Sequence, residues 1–183
     1  RVVMTRAVSH RHYKPANRDA KRIENGEFGR LLQHGFDCTK EVGLRDSLIT
    51  ILMNKTGVRP SEAIGAWVID VIDDPADPGS AYIKLRHPLE AKVKIFHRGT
   101  LYTRRIDYLK AVHGLPDRIG LPKKDPQHLG WKSPFDVLEL YWAEPWWGRV
   151  FWRLYCHYVR LTMTKRTGHP YLFVDSESGD PLT

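Results

Sequence analysis

The chain has 183 residues, enough for one domain with a sizeable core, and a 42% hydrophobic content with six Trp, eight Tyr and six Phe excludes a disordered chain. No run approaches the ~18 consecutive apolar residues of a membrane span, and no apolar stretch follows the basic opening residues as in a secretory signal, so a cytoplasmic protein with no membrane partner is expected. A formal net charge of +8 favours a polyanionic partner, because clustered Lys and Arg gain affinity by displacing counterions condensed on nucleic acid.

Residues 1–24 carry Arg1, Arg6, Arg11, Lys14, Arg18, Lys21 and Arg22 against Asp19 and Glu24, with no apolar period, and read as a basic arm or linker. From Asn25 the texture changes. Phe28, Leu31, Leu32 and Gly35 fit a short amphipathic helix, and residues 45–55, apolar nearly all round through Leu48, Ile49, Ile51, Leu52 and Met53, read as a buried one. Gly57 suits a left-handed C-terminal cap. Pro60 opens a further helix that turns Ala63, Ile64 and Trp67 toward a core.

Residues 73–80, rich in Pro and Asp, form a loop before two predicted strands, 81–86 and 92–96. In the first, Ile83 and Leu85 alternate with Tyr82, Lys84 and Arg86; in the second, Val93 and Ile95 alternate with Lys92, Lys94 and Phe96. The economical connection is a hairpin turning near residues 88–91. Residues 100–113 read as a helix closed by Gly114, and Pro and Gly then dominate a long loop through Gly130. Ser133-Pro134 with Asp136 signals a helix start, and Glu144-Pro145 its stop. Trp147, Phe151, Leu154, Tyr158 and Leu161 recur at helical spacing and read as core. The tail holds a short apolar strand at 171–174 and a turn at Ser178-Gly179-Asp180. These elements sum to a mainly α fold with a small antiparallel β-sheet, an α+β class without internal repeats.

Cys38 and Cys156 stand outside any Cys-x-x-Cys pattern and are expected to be reduced and partly buried. Nine scattered His, unpaired with Cys or carboxylates at ligand spacing, point to no structural metal.

Arg59 falls where the Gly57 break meets the first turn of the next helix, beside free backbone N–H groups that suit an anion. Its planar fork takes two phosphate oxygens at once, which Lys cannot do. Glu62, three residues on, shares the helix face and can orient that fork. Taken alone, Arg59-Pro60-Ser61-Glu62 also describes an exposed helix cap with an ordinary ion pair.

The surrounding text is Leu-Arg-Asp-Ser-Leu-Ile-Thr-Ile-Leu-Met-Asn-Lys-Thr-Gly-Val-Arg-Pro-Ser-Glu-Ala-Ile over residues 44–64, followed by Asp70, a loop and a basic strand pair. That order resembles the first half of a tyrosine recombinase (phage integrase) catalytic domain, with residues 25–33 similar to its opening helix. Tyr171-Leu172-Phe173 followed by Gly179-Asp180-Pro181-Leu182 resembles the segment just before the family's second active-site motif. The resemblance spans about residues 25–183, with an unusual insertion at about 115–147.

The resemblance implies that Arg59 is the first of two arginines gripping a scissile phosphate and Glu62 its supporting acid. It also implies a hairpin lysine that protonates the departing 5′ oxygen. Lys92 fits the turn-proximal place, with Lys94 and Lys84 as alternatives. Lys84, Arg86 and Lys94 are the implied DNA contacts. The implied partner is double-stranded DNA, bound by a homotetramer that cuts and rejoins it through a 3′-phosphotyrosyl link, as in DNA integration by mobile elements, with no metal or nucleotide cofactor. The one literal His-x-x-Arg match, His157-Tyr158-Val159-Arg160, precedes the Tyr171 segment and reads as the outer face of a core helix. The second arginine and the tyrosine nucleophile are expected beyond Thr183, so the chain alone is expected to be inactive. Two rival readings stand beside this one: a non-catalytic DNA-binding relative, and an unrelated basic interaction module.

Overall fold

The computed structural model describes residues 23–166 and 168–182, and the basic arm lies outside them up to residue 22. The first two helices are α1 (Asn25–His34) and α2 (Glu41–Thr56). α2 begins four residues earlier than its apolar run indicates. It buries a single stripe, Leu44, Ser47, Leu48, Ile51, Leu52 and Lys55, and leaves Met53 exposed. A helix packed on one side needs only that face to be dry, even when its sequence is apolar all round. Gly57 closes it at φ 73°, donating its N–H to the Met53 carbonyl.

The last helix, α5 (Trp146–Thr162), packs against α2, and the helices α3 (Pro60–Ile64) and α4 (Arg105–His113) are shorter. Its buried stripe is Trp147, Phe151, Tyr155, Tyr158 and Thr162, so Leu161, expected in the core, is exposed and Leu154 only half-buried. Phe28 of α1 meets the Trp147 ring of α5 edge-on at 5.3 Å, which joins the two helices over one core.

Among the described residues, five strands form two separate sheets. In the first, β1 (Val71–Asp73), β2 (Ala81–Arg86) and β5 (Val137–Leu140) pair antiparallel in the order β1-β2-β5. In the second, β3 (Lys92–His97) pairs only with β4 (Thr100–Arg104). The structure therefore corrects the expected hairpin: 81–86 and 92–96 are both strands, but they do not pair. Both edges of β2 are taken, and residues 88–91 contain no Gly. Arg98 at φ 46° and Gly99 at φ 83° supply the two left-handed residues that a tight two-residue hairpin turn requires.

Two helix expectations are also corrected. Residues 100–104 are strand, because β3 offers a pairing edge to Thr100, Leu101, Tyr102 and Arg104, and the helix starts only at Arg105. Residues 137–140 are strand rather than helix, with Leu138 and Leu140 half-buried against Leu85 and Ile83. Glu144-Pro145 then precedes a helix instead of ending one, since a Pro lacks only an N–H that the first turn leaves unbonded anyway. The tail segment 171–174 is buried but holds single bridges, Trp67 to Tyr171 and Val174 to Pro181, in place of a strand. Residues 115–136 are irregular and lead into β5. No helix of the described residues is long and apolar enough to cross a membrane.

Candidate functional site

α3 is a five-residue helix whose N-cap is Arg59 itself. A helix this short carries little dipole, so charge at its start comes from the guanidinium more than from the backbone. The Arg59 N–H donates to Glu62 Oε2 at 3.3 Å, and Arg59 Nη1 donates to Glu62 Oε1 at 3.3 Å. Glu62 is 3% exposed and the Arg59 side chain 55% exposed, so the acid sits behind the fork and the fork faces water.

A loop closes the site from the other side. Ser61 Oγ donates to the Gly130 carbonyl at 2.7 Å, and the Lys132 N–H donates to Glu62 Oε1 at 3.4 Å. These bonds set Lys132, which is exposed, beside an open groove of about 410 Å³ lined by Thr56, Gly57, Arg59, Glu62, Lys132 and Phe135 among others. The lining holds two cations, Arg59 and Lys132, and two acids, of which Glu62 braces Arg59 and Glu139 pairs with Lys84.

The other expected site residues lie elsewhere. Lys92 and Lys94 are exposed on β3 and line a second open groove of about 740 Å³ with Arg86, Ile69 and Phe96. Lys92 stands opposite Arg104, at the end of the ribbon away from its turn, so it is not turn-proximal. Lys84 is held by Glu139 across β2 and β5 at 2.8 Å, and that hydrogen bond, followed by one with Tyr82, raises its ammonium pKa above the usual lysine value. Arg86 Nη1 donates to Asp70 Oδ1 at 2.7 Å and is mostly withdrawn from water. The structure thus brings Arg59 and Glu62 together, groups Arg86, Lys92 and Lys94 in another groove, and ties Lys84 to an acid. His157 and Arg160 are exposed on the outer face of α5, as expected. Cys38 is half-buried with Sγ 3.3 Å from Ser47 Oγ, whereas Cys156 is exposed, correcting its expected partial burial.

Three features escaped the sequence reading. Asp70 and Arg105 form a fully buried ion pair, joined by Arg86 and by the Trp67 N–H, which donates to Asp70 Oδ2 at 2.9 Å. Nothing in residues 70, 86 and 105 taken separately signals it. Arg118, also buried, donates to the Gln127 and Leu182 carbonyls and staples the irregular loop to the tail. Lys132 sits in a stretch with no periodicity, and its sequence signal is no more than a cation beside Ser133-Pro134. Compared with known proteins, the chain matches no family model, no curated protein and no solved structure.

Proposed function

We propose that this chain is the DNA-binding, phosphate-gripping part of a tyrosine recombinase catalytic domain. The observation that carries the reading is the half-exposed Arg59 fork over an open groove, braced from behind by a buried Glu62. A phosphate has two free oxygens to offer such a fork, and a brace that fixes the fork in advance lowers the cost of binding. The net charge of +8 suits a DNA partner. A cytoplasmic setting and a tetramer on two DNA sites belong to the same proposal.

In the parent enzyme a tyrosine oxygen attacks the phosphodiester, and Arg59, with a second arginine, stabilises the charge that builds on the phosphorane. We assign the proton for the departing 5′ oxygen to Lys132 in place of Lys92, because Lys132 shares the groove of Arg59 and Lys92 does not. Sheet order supports the assignment: β2 and β5 are adjacent antiparallel strands, and Lys132 lies shortly before β5 in the long segment that connects them.

The test uses the parent enzyme on a suicide DNA substrate. Arg59→Ala abolishes cleavage while the fold persists, and unchanged cleavage overturns the assignment. Lys132→Ala slows cleavage of ordinary DNA but not of a 5′-bridging phosphorothiolate, whose thiolate leaves without a proton. Rescue of Lys92→Ala instead returns the role to β3.

A further inference from the structure

The β3–β4 ribbon stands apart from the three-stranded sheet and packs by one face only. Val93 is buried and Ile95 and Tyr102 half-buried on that face, and Tyr102 meets the Tyr108 ring of α4 at 5.4 Å. Lys94 and Phe96 alternate with those residues and are exposed, as is Lys92 on the far side of a register shift between Lys92 and Ile95. Phe96 pairs in register with Leu101, and the two are 73% and 56% exposed, so an apolar pair sits at the outer end of a basic stripe. Residues 92–104 hold Lys92, Lys94, Arg98 and Arg104 and no acid. Arg104 is committed to Asp107, while Lys92, Lys94 and Arg98 make no ion pair among the described residues.

An exposed apolar pair is unfavourable in water, and unpaired cations beside it add attraction to a surface of dense negative charge with apolar faces between the charges. Duplex DNA is such a surface, and its major groove, about 12 Å wide, admits a two-stranded ribbon. We infer that the β3–β4 ribbon is a second DNA contact, with Phe96 and Leu101 against base edges and Lys92, Lys94 and Arg98 on the flanking phosphates. This inference rests on DNA being the partner, but on neither Arg59 nor the chemistry at its groove. The ribbon positions the duplex; the Arg59 groove acts on one phosphate of it.

The experiment measures binding of the 183-residue chain to a fluorescein-labelled duplex of about 30 random base pairs by anisotropy, over a range of salt. Lys92→Gln with Lys94→Gln lowers the slope of log affinity against log salt by about 2, one unit per lost phosphate contact. Phe96→Ala with Leu101→Ala weakens duplex binding severalfold at an unchanged slope, because it removes no charge. Both pairs are exposed, so circular dichroism melting stays at the parent value. Duplex binding by both double variants at parental affinity and slope overturns the ribbon contact while leaving the DNA partner standing. Tighter binding to single-stranded DNA or to phosphatidylserine vesicles than to duplex also overturns it. A parent chain that binds no duplex removes the DNA partner, and the ribbon contact with it.

Discussion

The Asp70 carboxylate meets the Arg105 guanidinium with neither side chain exposed, and this pair joins the start of the sheet to the first turn of α4. Arg86 adds a second cation at 2.7 Å, and the Arg105 guanidinium lies 4.3 Å from the centre of the Trp67 ring. Two buried ions are tolerated only where such contacts replace their water. Asp70→Asn leaves two guanidinium groups without their acid and should cost about 3–5 kcal/mol, read from urea unfolding. Arg105→Met should cost less, since Arg86 and the Trp67 N–H still serve Asp70. A loss below about 1 kcal/mol for Asp70→Asn would show that the cluster is not a structural anchor.

Glu62 and Arg59 should separate stability from function. Glu62→Ala strips the acceptor from the Arg59 and Lys132 N–H groups and is expected to destabilise by about 1–3 kcal/mol. Arg59→Ala removes a half-exposed side chain and should change stability by no more than about 0.5 kcal/mol. Guanidinium chloride midpoints for the two variants check the contrast.

At Gly57 an added Cβ meets nothing within 4 Å, so Gly57→Ala carries a purely backbone penalty at φ 73°. The expected cost is about 1–2 kcal/mol, seen as a lower melting temperature. A parental melting temperature would mean that the α2 cap relaxes freely.

His169 is buried, its Nε2 bonds the Gly179 carbonyl at 2.7 Å, and burial pulls its pKa below the ordinary imidazole value. His113 shifts the same way, again chiefly by burial. In that window the unfolded chain binds more protons than the folded one. Stability is therefore present above the ordinary imidazole pKa and is lost as pH falls from it toward the lowered folded values. Unfolding midpoints measured at about pH 7.5 and 5.5 should drop on acidification, and His169→Gln should shrink the drop. An identical pH dependence in that variant would assign the effect to other groups.

Local signals were read well where one residue type has one physical use. The Gly57 cap, the Pro60 start, the strand alternation over 81–86 and the aromatic stripe from Trp147 were legible because each follows from backbone sterics or from the 2.0 and 3.6 periods. Where signals compete, the sequence misled. Thr100 to Arg104 suits either a helix face or a strand, and the free edge of β3 decided it. Ser133-Pro134 and Glu144-Pro145 each mark a boundary without saying which side of it is helical.

The Arg59–Glu62 pair is local, because an N-cap residue and the residue three positions on are neighbours in any helix. Which lysine lines the same groove depends on long-range packing. Lys132 lies far from Arg59 along the chain and is brought to it by Ser61 bonding Gly130 and Glu62 bonding the Lys132 backbone. The pairing of β3 with β4, and of Asp70 with Arg105, was decided in the same way: long-range partners are chosen by which edges and charges remain unsatisfied once the core has closed, and no short stretch of sequence records that choice.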